Sequence, residues 1–152
     1  MIKILFICHG NICRSPMAEF VMKDLVRKAG LDDKIYVASA ATSTEEIGNS
    51  VYPPVKRKLA EHGIDCAGKT ARQMTGTDYR EYDLLVGMDN ANIRNMNRIS
   101  GGDPDGKICK LLEYAGRADE VADPWYTGDF ESTWQDVLAG CTGLLEHLKT
   151  ML

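Results

Sequence analysis

The apolar positions of this chain alternate between short unbroken runs and stripes with helical spacing. Ile2–Cys8 (IKILFIC) is almost continuously apolar, as expected of a strand buried on both faces. Helical spacing follows over 16–28. There Ala18, Val21, Met22, Leu25, Val26 and Ala29 share a face, Ser15 is placed as N-cap, Pro16 suits the first position and Gly30 ends the run. A second strand is predicted over 34–39 and a polar loop over 42–51. Pro53 and Pro54 then open a helix that ends near Gly63. A strand at 83–88, a helix at 91–99, a turn cluster at 101–106 and a strand at 107–113 come next, then a loop over 116–129. In the last helix Trp134, Val137, Leu138, Cys141, Leu144, Leu145 and Leu148 form one apolar stripe, which reads as core.

Strands separated by helices predict parallel pairing with right-handed crossovers. The expected fold is a three-layer α/β domain over residues 1–152, a four-stranded parallel sheet with helices on both faces. In such sheets ligands bind beyond the carboxyl ends of the strands, so loops leaving strands share the functional edge.

Composition narrows the function. The chain has 152 residues and a formal net charge of −4, which argues against nucleic acid as a partner. The apolar start is shorter than a signal-peptide core, and no stretch approaches the length of a membrane span. A cytoplasmic protein without membrane association is expected. The five cysteines, at 8, 13, 66, 109 and 141, are odd in number and include no Cys-x-x-Cys pair. A disulfide framework is therefore not expected. The three histidines are scattered, which gives a metal site no support.

The chemistry concentrates at the joint between the first strand and the first helix, in FICHGNICRSPMAEF. Cys8 ends the strand, His9-Gly10-Asn11-Ile12-Cys13 form a short loop, and Arg14 and Ser15 stand at the helix start. A short loop around a helix N-terminus aims several backbone N–H groups into one small space, where the helix dipole adds positive potential. Gly10 permits close approach of the backbone and Asn11 tolerates a left-handed conformation. Arg14 adds a planar fork able to hold two oxygens of a phosphate. Thiols in such fields are held as thiolates. The joint thus reads as a cradle that binds a phosphate and a nucleophile that attacks it.

Expelling an alkoxide or phenolate also needs a proton donor. Asp-Pro occurs at Asp103-Pro104 and at Asp123-Pro124. Asp103 precedes the fourth strand, on the wrong edge, and reads as a turn residue. Asp123 follows it, on the edge of Cys8, beside Trp125 and Tyr126. These two aromatics either wall a cleft for an aromatic substrate or pack the loop onto the core.

At these residues the sequence resembles the low-molecular-weight protein tyrosine phosphatases. The resemblance rests on Cys8-His9-Gly10-Asn11-Ile12-Cys13-Arg14-Ser15-Pro16 and Asp123-Pro124-Trp125-Tyr126. Further echoes are Ser39-Ala40-Ala41-Thr42, His62-Gly63-Ile64, Ala71-Arg72-Gln73 and Met88-Asp89. It implies the phosphotyrosine phosphatase I-like fold, with no metal or cofactor. It further implies that Cys8 becomes a phosphocysteine while Arg14 and the loop amides hold the equatorial oxygens. Asp123 would protonate the leaving tyrosine oxygen and then help activate water. Ser15 would hydrogen-bond the Cys8 sulfur, and Asn11 would brace the loop through Ser39. In the family the counterpart of Cys13 can form a disulfide with the nucleophile under peroxide; a small buried residue behind the loop is the equal alternative. The implied partner is a phosphotyrosine protein, with a bacterial tyrosine kinase among the candidates.

One departure stands out. Eukaryotic members place a large aromatic after the second strand, where this chain has Thr44-Glu45-Glu46. Glu45 takes that wall position in the substrate cleft, or Glu45 and Glu46 are simply solvated; either way, tight phosphotyrosine selectivity is in doubt. His9 stands where the family varies, either at the cleft mouth or as a bystander. Two other functions share the motif: arsenate reduction, which needs further cysteines as a relay, and a noncatalytic phosphate-binding or redox-sensing module.

Overall fold

A computed structural model describes residues 1–152. The chain runs β1 (Ile2–Cys8), α1 (Arg14–Lys28), β2 (Ile35–Ala41), α2 (Pro53–Glu61), α3 (Gly76–Glu81), β3 (Leu84–Gly87), α4 (Asn90–Ser100) and β4 (Ile108–Lys110). A 3-10 turn (Leu111–Ala115), α5 (Pro124–Thr127) and α6 (Phe130–Lys149) complete it. The four strands pair in parallel in the order β2-β1-β3-β4. The expected α/β architecture is thus present.

Alternation along β1 shows why its sequence is apolar at nearly every position. Ile4, Phe6 and Cys8 point into the larger core cluster, with α1, α2 and α6. Leu5 and Ile7 point into a smaller one, with Met74, Tyr79, Tyr82 and Met96 around α3 and α4. A strand covered on both faces has no polar side to show. The topology reverses between β1 and β3, so the crevice beyond their carboxyl ends is where such a sheet binds ligands. Cys8 and Gly87 are those two ends.

Several boundaries differ from the sequence reading for local reasons. α1 begins at Arg14 with Cys13 as N-cap, not at Pro16 with Ser15 as cap. Ser15 sits inside the first turn with its hydroxyl on the Cys8 sulfur. Ala29 is exposed rather than on the packed face. β2 extends to Ala41, which pairs with Cys8. α3 was not expected from the pattern; it is six residues long and starts from a capping box between Thr75 and Asp78. α5 interrupts the loop expected at 116–129, with Asp123 as N-cap and Pro124 at its first position. Asp103 does serve a turn, accepting from the Tyr79 hydroxyl at 2.7 Å and the Lys107 N–H at 2.8 Å. No helix is long and apolar enough to cross a membrane.

β4 is shorter than expected because the chain coils into the 3-10 turn at Leu111. That turn lies against two glycines of α6. A Cβ on Gly140 would stand 2.4 Å from Leu111 Cγ, and one on Gly143 only 1.9 Å from the Tyr114 carbonyl oxygen. Gly143→Ala gains about 1 kcal/mol of helix propensity but meets backbone that has no rotamer to change. We expect a net loss of about 2 kcal/mol or more by urea unfolding, at the severe end of overpacking. Unchanged stability would contradict this packing.

Candidate active site

The loop between β1 and α1 is held from outside by its carbonyls. The Thr42 N–H donates to the Cys8 carbonyl at 3.0 Å, the Ser43 N–H to the His9 carbonyl at 3.1 Å, and the Tyr52 N–H to the Ile12 carbonyl at 2.9 Å. The N–H groups of residues 10–13 donate to no group of the protein. Buried, unpaired N–H groups are rare, and a cluster of them at a helix N-terminus is a receptor for an anion. Asn11 takes the left-handed conformation expected of it, with φ 60°.

A buried polar chain fixes the thiol. Asn11 Nδ2 donates to Ser15 Oγ at 2.8 Å and to Ser39 Oγ at 2.9 Å. Ser39 in turn donates to Glu19 Oε1 at 2.5 Å, because a buried carboxylate beside two lysines is an acceptor. Each serine oxygen accepts from Asn11. The Ser15 proton is therefore free for Cys8 Sγ, 3.0 Å away, and the Ser15 N–H also points at that sulfur from 3.4 Å. The direction of every bond favours negative charge on sulfur.

Arg14 is 2% exposed. Its Nη1 donates to Asp89 Oδ2 at 2.7 Å and to the Val121 carbonyl at 2.9 Å, and its Nη2 lies 3.6 Å from Asp123 Oδ2. Burial by itself would favour the neutral guanidine, but the Cys8, Asp89 and Asp123 charges outweigh it and raise the pKa, so Arg14 stays a cation. Asp123 accepts the Trp125 N–H through Oδ1 at 3.0 Å. Its side chain is about a quarter exposed, open to solvent on one side.

These groups surround a pocket of about 130 Å³ lined by the whole loop except Asn11, together with Arg14, Asp123, Glu45, Glu46, Trp125 and Tyr126. Cys8, His9, Gly10, Ile12 and Cys13 all face it. Asn11 and Ser15 lie behind, buried, and Ser39 stands in the next layer. Trp125 packs at 4.9 Å against Tyr52 with the rings tilted by 52°, and Tyr126 is 83% exposed, so the two aromatics form a wall rather than core. His9 Nε2 pairs with Glu45 Oε2 at 2.8 Å, both side chains being largely exposed. Asp103 has no part in the pocket. A larger depression of about 580 Å³ lies along α1 and β2, but it contains no thiol and no such convergence of donors.

Cys13 differs from Cys8 in its surroundings. Burial, then the charges of Cys8 and Asp123, push its pKa up to about 12. All five cysteines are free. Burial also raises Cys66, Cys109 (to about 11) and Cys141, so none of them is a ready thiolate. No group of three or more His, Cys, Asp or Glu side chains converges as a metal site would require.

The sequence alone assigns no role to two of the residues that matter here. Asp89 holds Arg14 while capping α4, where its Oδ1 accepts the Asn92 N–H at 2.7 Å. Its signal is an Asp just past the carboxyl end of β3, on the functional edge. Glu19 is buried in the middle of α1, and nothing local marks a helical glutamate as buried.

The family model described as low molecular weight phosphotyrosine protein phosphatase matches residues 3–151. The low molecular weight protein-tyrosine-phosphatase YfkJ of Bacillus subtilis is 39% identical over 151 residues, covering 98% of this chain and 97% of that one. PtpA of Staphylococcus aureus, also named a low molecular weight protein-tyrosine-phosphatase, is 33% identical over 149 residues, covering 97% of this chain and 94% of PtpA. The crystal structure of YfkJ superposes with a TM-score of 0.96 at 38% identity, covering 99% of this chain and 96% of that one. SP-PTP, a low molecular weight protein tyrosine phosphatase from Streptococcus pyogenes, has a TM-score of 0.88 at 41% identity, covering 97% and 93%.

The contrast between the two thiols of the loop is measurable. With a pKa of about 12, Cys13 remains protonated throughout the neutral range. Iodoacetamide at neutral pH should label one thiol, on the peptide that ends β1, and inorganic phosphate should slow the reaction. Labelling of Cys13 at a rate equal to that of Cys8 would contradict these electrostatics.

Proposed function

The chain belongs to the low-molecular-weight phosphotyrosine protein phosphatases, and from that premise we propose that it hydrolyses phosphotyrosine in proteins through a phosphocysteine on Cys8. The observation that supports the reading best is the cradle itself: four unpaired loop N–H groups, the Cys8 sulfur facing them and a buried Arg14 cation beside it.

The steps follow from the positions. The phosphate dianion enters the cradle and takes hydrogen bonds from the loop amides. The Arg14 guanidinium is held to Asp89 and the Val121 carbonyl through Nη1, which leaves Nη2 toward the pocket for the phosphate. The Cys8 thiolate attacks phosphorus, forming the S–P bond as the P–O bond to tyrosine breaks. Asp123 gives its proton to that oxygen, and the neutral phenol leaves. Water then attacks the phosphocysteine, Asp123 takes its proton, and the S–P electrons return to sulfur. The Ser15 hydroxyl at 3.0 Å receives the returning thiolate. Catalysis here is positioning plus electrostatic stabilisation, with the equatorial charge met by fixed donors.

Residues 1–152 serve this reaction as one domain. A bacterial tyrosine kinase is the phosphotyrosine protein to test first as a partner. The free thiols suit a reducing compartment, and the cytoplasm is the location we propose. Arsenate reduction is disfavoured because Cys66, Cys109 and Cys141 are buried or held as neutral thiols, without the relay that chemistry needs.

The reduced protein should hydrolyse p-nitrophenyl phosphate and a phosphotyrosine peptide in the presence of a chelator. Cys8→Ser should abolish both activities. Asp123→Asn should lose about 10²- to 10⁴-fold in kcat on the peptide, the worth of a general acid. It should lose less on p-nitrophenyl phosphate, whose nitrophenolate departs without a proton. Absence of turnover by the reduced wild type would overturn the proposal.

A further inference from the structure

The mouth of the pocket carries charge that the hydrolysis does not use. Segment 42–46 is clamped to the loop. Besides the two backbone bonds already described, the Ser43 hydroxyl donates to the His9 carbonyl at 2.8 Å, and the Glu45 N–H donates to Ser43 Oγ at 3.4 Å. Two carboxylates are thereby set on one side of the opening. Glu45 is held by His9 Nε2 at 2.8 Å and is 66% exposed at its side chain. Glu46 leans on Gly10, where a Cβ would meet its Cγ at 3.3 Å, and its Oε2 accepts from Asn49 Nδ2 at 2.6 Å.

Trp125, 52% exposed, and Tyr126, 83% exposed, line the same pocket. Among the lining residues the one lysine or arginine is Arg14, buried and committed to Asp89. A phosphotyrosine side chain reaches past this mouth to the cradle, and its neighbours in the peptide stay at the opening. There they meet both carboxylates and aromatic faces. Both surfaces attract cations, the first by charge and the second by the ring quadrupole. Both are unfavourable to glutamate and aspartate.

We propose that Glu45 and Glu46, with the Trp125–Tyr126 wall of the same pocket, select phosphotyrosines flanked by arginine or lysine. His9 acts as a positioning residue that holds Glu45 at the opening. The inference rests on the phosphatase reading above and concerns which phosphotyrosine sites are taken.

The test compares kcat/KM for two peptides of equal length, one with arginines and one with glutamates on both sides of the phosphotyrosine. p-Nitrophenyl phosphate, which has no flanks, is run beside them. We expect the basic peptide to be favoured about tenfold at low ionic strength, with the ratio shrinking as salt screens the exposed charges. Glu45→Gln combined with Glu46→Gln should bring the ratio to about twofold or less, and Glu45→Lys should move the preference toward the acidic peptide. Equal rates on the two peptides, or a preference that survives in the double variant, would overturn the inference while p-nitrophenyl phosphate turnover leaves the phosphatase standing. Failure to hydrolyse any of the three would overturn both.

Discussion

Asn11 commits both hydrogens of its side-chain amide to serines that come from different elements, Ser15 of α1 and Ser39 of β2. Its oxygen accepts the Arg72 N–H at 3.3 Å, from the segment that follows α2. Its backbone sits at φ 60°, a conformation that costs a residue with a Cβ about 1 kcal/mol or more. The three hydrogen bonds offset that cost and fix the loop against the sheet. The consequence reaches the sulfur. Ser39 is donor to Glu19, so both serine oxygens are acceptors toward Asn11, and the Ser15 proton is directed at Cys8. A buried polar network with every member satisfied specifies one geometry. This one specifies a sulfur that faces unpaired amides.

Arg14 performs the corresponding task between elements of the functional edge. It belongs to the first turn of α1, yet it bonds the end of β3 through Asp89 and the approach to α5 through Val121. Removing a guanidinium from water costs several kcal/mol, and a single partner rarely compensates it. Two carboxylates, a carbonyl and the charge on Cys8 do so here. The same contacts bring Asp123 to the pocket, with 3.6 Å from its Oδ2 to Arg14 Nη2. Nucleophile, anion receptor and proton donor therefore depend on one order of strands. Loops from β1, β3 and β4 meet only because those strands point the same way.

Much of this was legible in the sequence for reasons that are physical. A strand buried on both faces shows as an unbroken apolar run, and α6 shows as a stripe, because burial imposes those periods directly. Cys8, Arg14 and Asp123 could be assembled from topology, since each lies on a loop or helix start at the carboxyl edge. What stayed hidden depends on distant partners. Glu19 reads as one more polar helix position until β2 places Ser39 beside it. Asp89 has no role in the sequence alone until the fold brings Arg14 to it. Glu45 and His9 are 36 positions apart, so their pairing has no local signature. The 3-10 turn at Leu111–Ala115 packs against glycines of α6 far along the chain, a close approach that its own residues do not signal. Ser15 was misplaced as a cap because its hydroxyl serves a sulfur instead of a backbone N–H.

The central claim is that the thiol at the end of β1 carries the phosphoryl group in transit. Rapid quench in denaturant at alkaline pH during turnover of p-nitrophenyl phosphate, followed by mass spectrometry of the peptide containing residues 4–23, tests it directly. The account predicts the mass of one phosphoryl group on Cys8, accumulating more in Asp123→Asn once water attack is slowed and absent in Cys8→Ser. Turnover with no phosphoryl group on Cys8 at any time of quench, or with one on another residue, would contradict it.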